Sequence, residues 1–149
     1  MANTQAICTS FKVEQLNGIH AFGTSVTRGS TVADTFKAAL YAATATINAA
    51  TTAYSATGEV TGTGYTAGGV TFAWVAPAST GTTAFTTPNA SFSWTGATIS
   101  AFDCVLLYNS TQANRAIAAY TFGSQTVTAG NFSLTMPTND AVTGLLRIA

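Results

Sequence analysis

The chain has 149 residues, of which only 7% are charged, five Lys or Arg and five Asp or Glu, and it has a single His. An ordinary globular domain carries about a quarter charged residues, so this composition speaks against a nucleic-acid binder, which needs a basic excess, and leaves an enzyme little to work with. At 47% hydrophobic residues and zero net charge it also speaks against disorder, and fits one domain with a real core. Zero net charge removes repulsion between copies, so a life inside a complex, with part of the surface covered, is expected.

The opening residues, Met1 to Gln5, lack the basic and apolar regions of a signal peptide, which predicts retention in the cytoplasm until assembly. Thr4 to Asn17 predicts a short amphipathic helix. Ile7 and Phe11, four apart, share a face; Asn3 or Thr4 caps the start, Gly18 suits the end, and Lys12 and Glu14 fall off the apolar face. Ile19 to Val26 reads as an apolar linker or strand, up to a turn at Arg28-Gly29-Ser30.

From there the texture is β. Thr35 to Ala42 alternates Phe36, Ala38 and Leu40 against Lys37, Ala39 and Tyr41, and the Ala-rich run to Ala50 reads as a loop or short helical turn. The most apolar long stretch, Phe36 to Tyr54, is interrupted by Lys37, Asn48 and many Thr, so it predicts no membrane span. Glu59 to Gly69 is turn chemistry around Tyr65; it has neither the Gly-x-Gly-x-x-Gly spacing nor a Lys-Ser/Thr pair for phosphate. Val70 to Val75 is a strand, and Ser79 to Pro88 reads as a polar loop. Ser91 to Trp94 alternates, Gly96 turns it into a central strand from Ile99 to Tyr108, and Asn109 to Asn114 makes a hairpin loop into Arg115 to Phe122. Gly123-Ser124-Gln125 predicts another turn, Phe132 to Met136 a strand, and Leu145 to Ile148 the last one. Many short strands between Gly, Pro and Asn turns predict a mainly β fold, an antiparallel β-sandwich of jelly-roll or immunoglobulin-like type with a short N-terminal helix or arm. The predicted division is residues 1–30 for the helix or arm and residues 31–149 for the sandwich.

Chemistry has few candidates. His20 alone would titrate near neutrality, but no nucleophile-base-acid motif joins it to Ser10, Cys8 or Asp34, and it reads as a packed or interface residue. Asp103 lies in an apolar strand and needs a partner; Arg115 on the next strand is the expected one. Glu59 and Asp140 are isolated acids in turns, a weak basis for calcium. Cys8 and Cys104 match no metal spacing and read as buried thiols. Trp74 and Trp94 sit in strand patterns and read as core, and three glycosylation sequons, at Asn89, Asn109 and Asn131, read as chance. No catalytic residue, cofactor or metal is expected, nor nucleic acid or membrane as a partner.

One resemblance covers almost the whole chain. It runs through Thr9-Ser10-Phe11-Lys12, Leu16-Asn17-Gly18, His20-Ala21-Phe22, Asp34-Thr35-Phe36-Lys37, Ala39-Leu40-Tyr41, Thr52-Ala53-Tyr54, Gly62 to Gly69, Leu107-Tyr108-Asn109 and Ala113-Asn114-Arg115-Ala116. In this order the motifs resemble a family of small virion-associated structural proteins of tailed bacteriophages. Phe102-Asp103-Cys104 departs from the small pair expected before the late apolar strand. The resemblance implies a β-sandwich structural protein of the virion, a capsid decoration (cement) protein assembled in the host bacterial cytoplasm. As such it would bind the major capsid protein or another virion protein and form a homo-oligomer, a trimer being favoured. The alternative is a tail, neck or baseplate/fibre component with host-surface carbohydrate binding. Ile7, Phe11, Leu16, Ile19 and Phe22 are the expected interface residues, as an apolar docking arm or as a cover over one open face of the sandwich.

Overall fold

The computed structural model describes residues 3–16, 18–22 and 33–149. In chain order its elements are β1 (Ala6–Ile7), α1 (Thr9–Leu16), β2 (Phe36–Ala42), β3 (Gly62–Thr63), β4 (Val70–Phe72), β5 (Ala78–Thr80), β6 (Thr83–Thr86), β7 (Phe92–Asn109), β8 (Arg115–Leu134) and β9 (Leu146–Ile148). They form a six-stranded sheet ordered β1-β8-β7-β2-β4, with β3 beside β7, and a three-stranded sheet ordered β5-β6-β9. All pairings are antiparallel. The sheets pack together as a β-sandwich with a short N-terminal helix, as the strand and turn pattern predicts.

The β7–β8 hairpin organises the molecule. Its loop reverses through Ala113 (φ 52) and Asn114 (φ 57), so the hairpin expected at Asn109 to Asn114 is there. The turns expected at Gly96 and at Gly123 to Gln125 are not. Both lie inside continuous strands of 18 and 20 residues, and the ladder absorbs the misfit as register shifts between Trp94 and Cys104. Glycine here marks bulges, which let a long ribbon coil without breaking it. The stretch from Ser79 to Pro88 also differs from expectation. Its Thr-rich sequence forms the β5–β6 hairpin, with Ser79 opposite Ala84, because β-branched residues suit a two-sided edge ribbon.

Near its loop the hairpin is covered on both faces: Cys104 to Asn109 are all buried, as a near-continuous apolar run predicts. The same is true of β2, where Ala39 and Tyr41 are buried along with Phe36, Ala38 and Leu40, so its alternation does not mark a solvent face. Fully burying a side chain such as Phe36, Leu40, Phe102 or Leu106 is worth about 1.5–3 kcal/mol each. Aromatic contacts continue the core outward: Phe72 meets Phe92 at 5.0 Å and Phe102 meets Phe132 edge-on at 4.8 Å. Trp74 and Trp94 are buried at 3% exposure, in line with their strand patterns. Cys8 and Cys104 are both free and buried.

The N-terminal helix is shorter than its sequence suggests. Ala6 and Ile7 are extended and pair with Ala119 and Ala118, because β8 offers them an open edge. The helix therefore starts at Thr9, and Asn3 does not cap it; its side-chain amide donates to Ala42 O and to Asp103 Oδ1 (2.6 Å), and its Oδ1 accepts from the Ile47 N–H. The end is as expected. Gly18 has φ +64, the Ile19 N–H reaches Glu14 O, and the Gly18 N–H reaches Gln15 O, the paired bonds that close a helix through a left-handed glycine. The turn at Arg28-Gly29-Ser30 and the stretch from Gly23 to Val26 lie outside the described residues.

Candidate functional site

Two clusters of ionisable residues are built among the described residues. The first joins α1, the stretch after it and the hairpin loop. Glu14, expected off the apolar face, is buried at 5% exposure, because it is the acceptor that a buried imidazole and a guanidinium share. His20 Nε2 lies 2.7 Å from Glu14 Oε2, and Arg115 reaches Glu14 Oε1 at 2.5 Å. The Asp103–Arg115 pair is thus absent. The hairpin register sets Arg115 opposite Asn109, six positions from Asp103, which at about 3.3 Å per residue is out of reach.

Asn109, fully buried at the start of the hairpin loop, fixes the other side of the imidazole. Its Oδ1 accepts from the N–H groups of Thr111 and Gln112, both at 3.1 Å, the local bonding that makes Asn a turn residue. Its Nδ2 is left to donate to His20 Nδ1 (3.0 Å) and Asp34 Oδ2 (2.7 Å). Asp34 also accepts from the Ala21 N–H and Gln112 Nε2. Burial opposes its charge, but the bonds from Asn109, Ala21 and Gln112 hold its carboxyl below the usual range. For His20, burial outweighs the Glu14 hydrogen bond and pushes the imidazole below its ordinary value. Both ring nitrogens are occupied, and among the described residues no hydroxyl or thiol bonds to either, so no nucleophile–base contact is assembled.

The second cluster surrounds Glu59. Its Oε1 accepts from Tyr65 Oη and the Gly68 N–H, both at 2.7 Å, and its Oε2 accepts from Tyr54 Oη at 2.6 Å. Tyr54 stacks on Tyr108 at 4.7 Å, and Tyr108 Oη donates to Gly68 O. Glu59 therefore braces the glycine-rich loop against β2 and β7. Among the described residues no group of three or more His, Cys, Asp or Glu could hold a metal ion. Asp140 closes its own turn through the Val142 and Thr143 N–H groups. No helix of the described residues is long and apolar enough to cross a membrane.

Of the expected interface residues, Phe11 is buried, and Ile7, Ile19 and Phe22 are half-buried. The Leu16 side chain lies outside the described residues. Phe22 stacks on Phe36 at 5.1 Å and meets Trp74 edge-on at 5.0 Å. Ile7 and Phe11 line an apolar groove of about 400 Å³ with Gln15, Leu146 and the exposed Ile148. None of the described aromatic side chains is exposed. Glu14, Asp34 and Asn109 were not legible as partners of His20, although an Asn opening a hairpin loop was a signal for Asn109. No protein-family model, curated protein or solved structure matches the chain.

Proposed function

We propose that this chain is a structural, non-enzymatic virion protein of a tailed bacteriophage: a capsid decoration (cement) protein that binds the major capsid lattice as a homo-oligomer, a trimer being favoured. The observation that carries the reading is the outer edge of β8. From Thr121 to Leu134 it has no strand partner among the described residues, and no charge lies between Arg115 and Asp140. Natural sheet edges are normally blunted by Lys or Pro, or covered by another element. Among the described residues this one is softened by bulges, such as that at Ala129 (φ 46). An edge of Thr, Ser, Gly and Asn suits backbone pairing with another subunit, and head-to-tail pairing between copies gives a ring when the rotation between neighbours closes.

A cement protein stabilises the shell by adding contacts to the assembled form alone. That role needs a rigid, charge-poor body and no reacting site, which agrees with both ionisable clusters being spent on internal bonds. The tail or fibre alternative with carbohydrate binding has less support, since sugar platforms present exposed aromatic faces and none is exposed among the described residues. The test is the copy number of this protein relative to the major capsid protein in purified virions, by quantitative mass spectrometry. Near-equal copies support the decoration role, a handful per particle moves it to the tail or neck, and absence from virions refutes both.

A further inference from the structure

We propose that His20 is the bolt of an acid-opened latch: neutral His20 holds α1 and the stretch through Phe22 against the hairpin loop, and protonating it releases that segment while the β-sandwich stays folded. The inference is independent of the virion reading and rests on the bonding around one imidazole.

The tautomer follows from Asn109. That amide cannot turn over, because its Oδ1 already accepts two loop N–H groups, from Thr111 and Gln112. Its Nδ2 must therefore face His20 Nδ1 as a donor, so Nδ1 carries the lone pair and Nε2 carries the hydrogen that Glu14 accepts. On the imidazole the proton of acidification has one place to go, Nδ1, where it would set donor against donor with Asn109. Reversing Asn109 would instead strip the two loop N–H groups and point an oxygen at Asp34. No rearrangement of the cluster keeps all of its bonds.

Every element around the ring contributes. Glu14 comes from α1, Asp34 from the residues before β2, Asn109 and Gln112 from the hairpin, and Arg115 from β8 beyond Glu14. Glu14 and Asp34 favour an imidazolium, while Arg115 and burial oppose it. Phe11 and Phe22 flank the ring with centroids at 5.0 and 6.1 Å, so the imidazole is shielded from water on those sides. The segment that this cluster fastens is held otherwise by short contacts: the β1 pairing at Ala6 and Ile7, the Cys8 and Thr9 N–H groups on Ile117 O and Ala49 O, and the Phe22 ring against Phe36 and Trp74. Core strands, by contrast, are tied by ladders along their length. The segment can open as a unit below the free energy of global unfolding.

The chain carries its own reporters. His20 is its only histidine, so imidazole resonances are unambiguous. Cys8 immediately precedes α1, whereas Cys104 lies in the middle of the sheet on β7, and both thiols are buried. The experiment follows the intact chain between pH 7.5 and 4.5 by imidazole nitrogen NMR and by labelling with 4,4′-dithiodipyridine. Each cysteine is quantified by peptide mass spectrometry against the unfolded chain at the same pH. Below about pH 6.5, where a free imidazole protonates, Cys8 labelling should rise about tenfold per pH unit, the slope for one proton bound on opening. Cys104 should stay protected, and the neutral ring should show its hydrogen on Nε2. In His20→Gln the Cys8 slope should vanish. Cys8 and Cys104 rising together, Cys8 staying protected once the ring is charged, or a slope surviving in His20→Gln would each overturn the latch. Should His20→Gln not fold, the NMR and the two-thiol comparison on the unaltered chain decide it alone.

Discussion

Gly69 is where the close approach of two backbones sets stability, and replacing it by alanine measures that approach. Gly69 has φ +75, and a Cβ there would sit 1.9 Å from Ala38 O and 2.5 Å from Ala38 C. The left-handed backbone alone costs an L-residue about 1–2 kcal/mol. The clash is with main chain, so no rotamer relieves it and β4 must move away from β2, where Ala38 pairs with Val70 and Phe36 with Phe72. Phe72 and Trp74, buried at 9% and 3%, would lose part of their packing, in a class where complete truncation costs about 3–5 kcal/mol. Gly69→Ala should therefore cost about 3–5 kcal/mol, after a gain of about 0.5 kcal/mol from the stiffer unfolded chain. Gly81 is the control: φ +61, with nothing within 4 Å of an added Cβ, so Gly81→Ala should cost only about 1 kcal/mol. At about 2–4 °C per kcal/mol for a chain of this size, thermal melts followed by circular dichroism should place Gly69→Ala about 10 °C below the parent and Gly81→Ala about 3 °C below. Equal melting temperatures for the two variants would refute the argument, because only the clash distinguishes the sites.

Glu59→Gln keeps the shape of the side chain but removes the charge that its donors address, and should lower stability by about 1–2 kcal/mol in urea titrations; an unchanged midpoint would show that the tyrosines do not depend on the carboxylate. Burial, reinforced at Tyr108 by the nearby Glu59 carboxylate, pushes Tyr41 and Tyr108 up to about 12 from an ordinary 10.0, and Tyr54 and Tyr65 higher still. The unfolded chain loses these protons first, so their contribution is whole below pH 10 and is lost as pH rises through the folded values. Absorbance at 295 nm should therefore show tyrosine ionisation coinciding with alkaline unfolding, and free titration of these groups at pH 10 in a folded chain would contradict it. The double variant Thr126→Lys and Thr128→Lys charges the exposed face of β8 at its open edge. If the proposed homo-oligomer pairs through this edge, the variant should leave the melting temperature within about 2 °C of the parent while sedimentation shows a smaller species than the parent. A monomeric parent, or an assembly that the two lysines leave unchanged, would remove β8 as a contact between copies.

How far the sequence reached depends on whether the deciding interaction was local. The hairpin at Asn109 to Asn114, the glycine stop at Gly18 and the central strand around Leu106 are written in adjacent residues, and each stands where expected. Gly96 and Gly123 misled because glycine serves turns and bulges alike; only the partner strand's length separates the two. Glu14 was misplaced for a related reason. Helical position put it off the apolar face, but a carboxylate goes inward when a buried His and an Arg wait for it, and those partners stand on other elements.

The scarcity of charge then constrains how this protein can recognise anything. Of the acids, Glu14, Asp34 and Glu59 are committed to fastening internal segments, and Asp103 and Asp140 accept bonds from Asn3 and from their own turn. Among the described residues a partner meets scattered charges, such as Asp140 and the exposed Arg147, and no exposed aromatic. What remains for directional bonding is hydroxyl and amide side chains and main chain, and main chain is unpaired where a sheet ends. Backbone pairing is insensitive to side-chain identity but demanding in geometry, so it favours a neighbour held in fixed orientation over a freely diffusing ligand. A repeating assembly, in which each copy presents the same edge at the same angle, is the setting in which such a surface binds well.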